Sequence, residues 1–168
     1  MNALFIGRFQ PFHNGHLTVL RNIYKQYSKI IIAIGSSQYS HTLENPFSYD
    51  ERKAMITSCL NKENILRYTI IPIADIHNPP KWVSHVESII SDFDVVFSNN
   101  PLTRKLFTEK GYRVKNTPLI KRELYSGSEI RNRIISKRPW ENLVPEPVEK
   151  IIKEIHGVQR IQGLACSF

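Results

Sequence analysis

The sequence predicts an α/β fold built on a doubly wound parallel sheet of about five strands, with extra helices towards the C-terminus. Short apolar runs end at Gly7 and Gly35, as in strands that are buried on both faces of a parallel sheet. Segments with helical periodicity alternate with these runs. After Lys115 the alternation stops and only helical periodicity remains, which indicates helices added to a complete sheet.

The first predicted unit is strand, helix, strand, with strands at Ala3–Ile6 and Ile30–Ile34. The segment His16–Tyr27 between them is predicted to be a helix, because Leu17, Leu20, Tyr24 and Tyr27 fall on one of its faces. The alternation then continues with helices at 49–60, 82–90 and 101–110 and strands at 68–71, 94–97 and 112–114. A Rossmann-like sheet of this kind binds its ligand at the carboxyl ends of the strands.

Two C-terminal helices are predicted at 127–136 and 146–156 and are expected to pack on the open face of the sheet. The second is expected to end at Gly157, because glycine commonly follows the last helical residue. Its apolar face is formed by Val148, Ile151, Ile152 and Ile155. For Val158–Phe168 the pattern leaves two alternatives open, fraying and a subunit contact. Residues 1–168 are expected to form a single domain.

Composition restricts the class of protein. A formal charge of +8 suits a nucleic acid, an anionic membrane or a small anionic substrate, but the basic residues are scattered and form no tract. No apolar run approaches the roughly 20 residues of a membrane helix. Cys59 and Cys166 lie outside any C-x-x-C pattern, which argues against a disulfide framework or a zinc site. We therefore expect a soluble, cytoplasmic protein with no nucleic-acid or membrane partner, and charge alone does not choose between a small anionic substrate and a merely solvated basic surface.

The segment Gly7–His16, Gly-Arg-Phe-Gln-Pro-Phe-His-Asn-Gly-His, joins the first strand to the first helix. A helix that begins there offers free backbone N–H groups and a positive dipole end to a phosphate. His13 and His16 are three residues apart, so both imidazoles can face one bound group. A third metal ligand at a usual spacing, a Walker A loop and a G-x-G-x-x-G motif are all lacking in the sequence. The segment therefore indicates phosphate binding by another kind of loop.

A second segment, Tyr125–Arg131, opens the first C-terminal helix. Ser126 and Glu129 have the spacing of a capping box, which by itself is enough to explain Ser126. Arg131 lies within two turns of the helix start and can reach phosphates at the strand ends. Arg133, by contrast, is expected only to be solvated.

These two segments resemble the two signatures of the nucleotidylyltransferase superfamily, the first of which is G-x-F-x-P-x-H-x-G-H. Nearly the whole chain resembles the archaeal-type nicotinamide-nucleotide adenylyltransferases, and the further segments that carry the likeness are Gly35–Gln38, Ser40–Phe47, Glu51-Arg52, Asp75-Ile76, Trp82-Val83 and Leu143–Pro145. The resemblance implies transfer of AMP from ATP to nicotinamide mononucleotide (NMN), which forms NAD and pyrophosphate in NAD biosynthesis.

The same resemblance implies roles for individual residues. His16 is assigned to the α-phosphate of ATP, and His13 and Arg131 to the β- and γ-phosphates, which makes these three the catalytic set. ATP is expected to be bound by Gly7, Arg8, Phe9, His13, Gly15, His16, Ser126 and Arg131. Mg²⁺, or another divalent cation, is expected to come with ATP and to need no protein ligands. A homo-oligomer, hexameric as in many members of the family, is implied as well.

The nicotinamide ring is expected beside Trp82 and the backbone of Asp75 and Ile76, because an electron-poor pyridinium is attracted to an indole face. The alternative for Trp82 is a core position in its helix. Arg52 is a weaker site candidate, since its helix begins with a second capping-box spacing and a solvated arginine is an equal alternative there. Asn99 replaces a glycine common in the family, and asparagine tolerates a left-handed backbone, so the loop is expected to survive.

The histidine pair alone does not identify the acceptor. Phosphopantetheine, flavin mononucleotide and a phospho-sugar alcohol stay open as alternatives to NMN. A non-catalytic nucleotide sensor or RNA-binding module is an alternative of another class, which the presence of both histidines and of Arg131 makes less favoured.

Overall fold

The computed structural model describes residues 1–117 and 123–167, and it confirms the α/β architecture with a five-stranded sheet. The strands are β1 (Asn2–Gly7), β2 (Lys29–Ile34), β3 (Tyr68–Pro72), β4 (Val95–Ser98) and β5 (Arg113–Lys115). The helices are α1 (Asn14–Gln26), α2 (Tyr49–Lys62), α3 (Trp82–Ile89), α4 (Pro101–Glu109), α5 (Gly127–Ile135), α6 (Glu146–Glu154) and α7 (Gly157–Cys166). Short 3₁₀ turns cover Pro79–Lys81 and Glu141–Leu143.

All strand pairs are parallel, and the strand order is β3-β2-β1-β4-β5. The direction of winding reverses between β1 and β4, so the loops that follow these strands diverge and open a crevice. Gly7 pairs with Ile34, and Ile6 pairs with Ser98. The residues after β1, β2 and β4 are thereby brought to one edge of the sheet.

Two apolar clusters cover the two faces of the sheet, as the alternation of side chains along β1 requires. Ala3 and Phe5 belong to the cluster that includes residues of α1, α2, α5, α6 and α7. Leu4 and Ile6 belong to the other, with residues of α3 and α4. The sheet is therefore buried on both faces, which explains its continuously apolar strands.

The C-terminal region differs from the prediction. Because α1 and α2 already cover one face, α5–α7 extend that same layer and do not cover an open one. Helix α6 ends at Glu154, and His156 rather than Gly157 takes the left-handed backbone, with a φ of 56°. Gly157 begins α7, where an added Cβ would meet the ring of Phe47 at 3.0 Å. Most of Val158–Phe168 is thus helical, with residue 168 outside the described part of the chain.

Within the described ranges, none of the helices has the length and apolar character that crossing a membrane requires.

Candidate functional site

A cavity of about 570 Å³ lies at the carboxyl edge of the sheet. Its walls are the loops after β1, β2, β3 and β4 together with the start of α5. Most of the site residues expected from the sequence line it: Gly7, Arg8, Phe9, His13, His16, Asp75, Trp82, Ser126 and Arg131. Gly15, Arg52 and Ile76 do not line it. The structure therefore brings the two signature segments to one cavity at the predicted edge of the sheet.

His13 and His16 cap the start of α1 together. His13 Nδ1 accepts hydrogen bonds from the backbone N–H groups of Gly15 (3.1 Å) and His16 (3.3 Å). In return, the backbone N–H of His13 donates to His16 Nδ1 (3.1 Å). The two rings stack with their centroids 3.5 Å apart. Since both Nδ1 atoms accept, the single ring proton of each neutral imidazole must lie on Nε2.

Both imidazoles are neutral at neutral pH. Burial lowers the pKa of His13 to about 3. Burial, and after it the neighbouring His13, lowers the pKa of His16 well below its usual value of 6.5. Neither Nε2 has a hydrogen-bond partner in the part of the chain that the structure describes. The pair therefore offers two uncharged N–H donors to a ligand.

Aromatic packing holds the His16 ring in place. Its centroid lies 4.8 Å from that of Phe9, and it stacks on Phe12 at 5.4 Å. Phe9 is itself only 2% exposed. An added Cβ on Gly7 would lie 3.0 Å from the Phe9 ring, and one on Gly15 would lie 3.0 Å from the His13 ring. Gly7, which is expected to bind ATP, therefore also leaves room for the Phe9 ring.

Arg131 joins the two signature segments. Its Nη1 donates to the carbonyl oxygen of Gln10 at 2.7 Å, and its Nη2 donates to Ser128 Oγ at 3.4 Å. An added Cβ on Gly127 would lie 2.7 Å from Arg131 Nη1, so only glycine leaves room for this contact. Gln10 is 3% exposed and exchanges two hydrogen bonds of 3.0 Å with the backbone of Phe47. Gln10 and Gly127 were not among our candidates.

Positive charge accumulates in the cavity. Burial, and after it the charge of Arg8, lowers the pKa of Arg131 to about 10, while Glu44 acts in the opposite direction. Arg131 therefore stays protonated at neutral pH. No carboxylate forms an ion pair with Arg8 or Arg131 within the described ranges. The site is thus suited to a ligand with several negative charges.

The start of α5 carries only half of the expected capping box. Ser126 Oγ accepts from the backbone N–H of Glu129 (3.1 Å), but the Glu129 carboxylate accepts from Arg133 Nε (2.9 Å) instead of from the backbone of the cap residue. Arg133 also donates to the carbonyl oxygen of Pro139. The expectation that Arg133 is only solvated is therefore wrong. Ser126 both caps α5 and lines the cavity.

Trp82 and the loop after β3 form another part of the cavity wall. Trp82 packs partly against the core and also lines the cavity, so its position is not that of a core residue alone, and its contact with the nicotinamide ring stays a prediction. Its indole N–H is buried and finds no acceptor among the described residues. The Asp75 N–H already donates to Gln38 Oε1 (2.9 Å), and the Asp75 carbonyl accepts from Gln38 Nε2 (2.8 Å). The Asp75 N–H is therefore occupied and Ile76 does not line the cavity, while the use of the Asp75-Ile76 backbone by the nicotinamide stays a prediction.

Arg52 is fully buried, so the solvated alternative is wrong. Its guanidinium donates to the carbonyl oxygens of Arg8 (2.9 Å), Gly35 (2.8 Å), Ser36 (3.2 Å) and Ser48 (3.1 Å). It thereby links the loops after β1 and β2 to the start of α2, from behind the cavity wall.

Asn99 does not adopt the left-handed backbone that we expected it to tolerate. Its side chain instead accepts a hydrogen bond from the Thr117 hydroxyl. The next residue, Asn100, caps α4 by accepting from the N–H groups of Leu102 (2.9 Å) and Thr103 (3.1 Å). The loop is therefore stabilised by two asparagine side chains rather than by a glycine conformation.

Comparison with known proteins identifies the family. The Cytidylyltransferase-like family matches residues 4–133. Over 98% of its length the chain is 48% identical to the nicotinamide-nucleotide adenylyltransferase of Thermoplasma acidophilum, 92% of which is covered. It is 47% identical to the enzyme of that name from Picrophilus torridus, with 99% of both chains covered. The chain belongs to the nicotinamide-nucleotide adenylyltransferase family.

Solved structures agree on the fold. A bifunctional NMN adenylyltransferase/ADP ribose pyrophosphatase from Francisella tularensis, complexed with AMP and a manganese ion, superimposes with a TM-score of 0.79 at 24% identity. The match covers 98% of this chain and 52% of that one, so the chain spans about half of the bifunctional protein. At this identity the comparison supports the fold alone.

Proposed function

We propose that this chain transfers AMP from ATP to NMN and so produces NAD and pyrophosphate. The observation that carries the proposal is the hydrogen bond from Arg131 to the Gln10 carbonyl, which brings both signature segments to one cavity beside His13 and His16. Membership of the nicotinamide-nucleotide adenylyltransferase family supports the choice of substrates.

The reaction needs alignment and charge neutralisation more than proton transfer. A phosphate oxygen of NMN attacks the α-phosphorus of ATP, the bond to the bridging oxygen breaks, and pyrophosphate leaves with that electron pair. The nucleophile is already an anion, so no base has to activate it. The histidines fit this requirement, because an imidazole such as that of His13, with a pKa of about 3, is a poor base but a good neutral donor.

Each phosphate contact is assigned to a donor in the cavity wall. The His16 Nε2–H donates to the α-phosphate, where negative charge grows during the attack. His13 and Arg131 bind the β- and γ-phosphates and then the leaving pyrophosphate, and Arg8 provides a further positive charge. Donors that are fixed before the substrate arrives need no reorganisation during the reaction.

The acceptor base is placed at the Trp82 end of the cavity. The indole offers a flat, electron-rich face to the pyridinium. The Asp75 carbonyl keeps one lone pair beside its bond from Gln38 and is a polar group there that can contact NMN.

A divalent cation, Mg²⁺ or another, is proposed to come with ATP. Residues 1–117 and 123–167 contain no group of three or more His, Cys, Asp and Glu side chains placed to hold a metal ion. We expect phosphate oxygens and water to bind this cation, which is the usual environment of Mg²⁺ beside nucleotides. When bound, such an ion neutralises polyphosphate charge.

We further propose that residues 1–168 act as one nucleotidylyltransferase domain in the cytoplasm, without nucleic-acid partners, and that copies of it assemble as the family resemblance implies. Light scattering on the purified protein tests the expected hexamer, and a mass of a single 19.5 kDa chain would contradict it.

Release of pyrophosphate from ATP with a panel of acceptors tests the proposed function. NMN should be used far better than phosphopantetheine, flavin mononucleotide or glycerol phosphate. Faster turnover with an acceptor that lacks a pyridine ring would leave the superfamily correct and the acceptor wrong. No release with any acceptor would favour a non-catalytic nucleotide sensor.

A further inference from the structure

Arg52 is a fully buried cation that makes no ion pair within the described ranges. All of its hydrogen bonds go to backbone carbonyl oxygens. Burying an ionised group without an opposite charge is unfavourable unless many dipoles surround it. Such a residue calls for an explanation beyond the packing of α2.

The carbonyls that Arg52 contacts lie at the ends of two neighbouring strands. Nη1 binds both the Arg8 oxygen, after β1, and the Gly35 oxygen, after β2. The residues that follow, Phe9 and Ser36, have φ values of 54° and 48°. This left-handed backbone is unfavourable for residues other than glycine and persists only where surrounding contacts impose it. Arg52 therefore binds the carbonyl oxygen that precedes each strained residue.

The orientation of these peptides exposes two backbone donors. In a trans peptide the C=O and the following N–H point in opposite directions. When Arg52 binds the Arg8 and Gly35 oxygens from the buried side, the N–H groups of Phe9 and Ser36 point away from it. Phe9 and Ser36 line the cavity, whereas Arg52 does not. Neither N–H has a partner in the part of the chain that the structure covers. Phe9 and Ser36 lie in loops after neighbouring strands, and free backbone N–H groups that face the same space can bind an anion there, as the N–H groups of a single anion-binding turn do.

We propose that Arg52 is a positioning residue, which holds the loops after β1 and β2 so that the Phe9 and Ser36 N–H groups face a phosphate of the bound nucleotide. The proposal rests on the proposed function for the identity of that nucleotide. Arg52 itself touches no substrate. It acts through the peptides that it orients.

The positive charge of Arg52 also favours the binding of a phosphate. Burial, and after it the charge of Arg8, lowers its pKa to about 10, so it stays protonated at neutral pH. The free protein therefore holds Arg8 and Arg52 in mutual repulsion, which an incoming polyphosphate relieves.

Replacement of Arg52 by lysine tests the geometry while it keeps the charge. A lysine ammonium is a point charge and does not reproduce the planar fork that reaches several carbonyls at once. Arg67→Lys is a matched control, because Arg67 also donates to three backbone carbonyls, those of Tyr24, Tyr27 and Ser28. These contacts lie at the end of α1, and none of the residues lines the cavity.

The measurements are KM for ATP and Kd for inorganic triphosphate by calorimetry. Both are measured on protein that circular dichroism shows to be folded, because an unfolded fraction in equilibrium with the folded form would itself raise the apparent Kd and KM. We expect Arg52→Lys to raise both by about tenfold or more, corresponding to 1.4 kcal/mol per factor of ten. Arg67→Lys should change neither by more than about twofold. Unchanged constants in folded Arg52→Lys would overturn the proposal.

A measurement on the wild-type protein keeps the proposal open to refutation even if Arg52→Lys does not fold. In an amide NMR titration with inorganic triphosphate, the Phe9 and Ser36 resonances should shift strongly. The Ser37 resonance should shift little, because its N–H already donates to the Ile73 carbonyl (3.1 Å). Absence of shifts at Phe9 and Ser36 on saturation would overturn the proposal. Triphosphate binding requires no acceptor and no turnover, so failure to form NAD would refute the proposed function and leave this inference standing.

Discussion

Replacement of His16 by asparagine and by glutamine separates its donor from its role in the helix cap. The oxygen of an asparagine amide can take the place of Nδ1, which accepts from the His13 N–H, but nothing then replaces Nε2–H. The longer glutamine can place its amide N–H near Nε2 and leaves the cap acceptor missing. Alanine is a less clean choice, because the ring packs against Phe9 and Phe12 and its removal leaves a cavity.

The expected magnitudes differ for the two variants. Loss of one preorganised donor costs about 10²–10³ in kcat, or roughly 2.7–4 kcal/mol, which is the expectation for His16→Asn. Loss of a cap acceptor costs about 1 kcal/mol of folding free energy, which is the expectation for His16→Gln. Both variants lose the aromatic ring, so the cost of lost packing is similar in each and cancels in the comparison.

The assay is pyrophosphate release at saturating ATP and NMN, with urea unfolding of the same samples. His16→Asn should lose at least about 10²-fold in kcat, and His16→Gln should keep turnover within about tenfold of the wild type. Near wild-type turnover of His16→Asn would refute the assignment of a transition-state donor. Equal loss in both variants would show that ring shape matters rather than the N–H group.

Three further changes test the rest of the site. Arg131→Ala should raise KM for ATP and lower kcat, because one guanidinium binds both the nucleotide and the leaving pyrophosphate; if both constants are unchanged, Arg131 only fastens the loop at Gln10. Trp82→Ala should raise KM for NMN about tenfold, or roughly 1–2 kcal/mol, with little change in KM for ATP; an equal rise for both substrates would argue against stacking on the pyridinium. His13 has a pKa of about 3 in the folded protein and 6.5 in the unfolded chain, so the unfolded chain binds the proton first as pH falls. The stability that neutral His13 contributes is therefore complete above pH 6.5 and is lost as pH falls towards 3. His13→Asn should therefore make the acid loss of stability shallower in urea titrations between pH 6.5 and 4, and an identical pH profile would contradict it.

The order of elements followed from the sequence because buried parallel strands and amphipathic helices leave different apolar periods. Helix α7 was missed because Gly157 resembled a helix stop. The glycine is there instead to leave room for the ring of Phe47, which lies far from it in the chain. Local pattern carries no information on such a contact.

The signature residues of the site were also predictable, whereas the contacts that assemble them were not. The Gln10 link to Arg131 and the Gln38 link to Asp75 join loops from different strands, and only the fold brings them together. Gly127 did leave a signal, since glycine in the first turn of a helix is unfavourable without a special reason.

Burial of Arg52 was also detectable in the sequence. Met55, Ile56 and Cys59 follow it at spacings of three, four and seven, which places Arg52 on the apolar face of α2. A basic side chain on that face is buried unless it is long enough to extend past the end of the helix into solvent. Its carbonyl partners, however, lie in loops that the periodicity of α2 does not describe.

The central claim, transfer of AMP to the phosphate of NMN, is tested most directly by following a phosphorus label. With ATP labelled at the α-position, the label should appear in NAD, in equal amount to the pyrophosphate released, and none should stay on the protein. With ATP labelled at the γ-position, the label should appear only in pyrophosphate. Recovery of the α-label as free AMP, or on the protein, with no label in NAD would contradict the account.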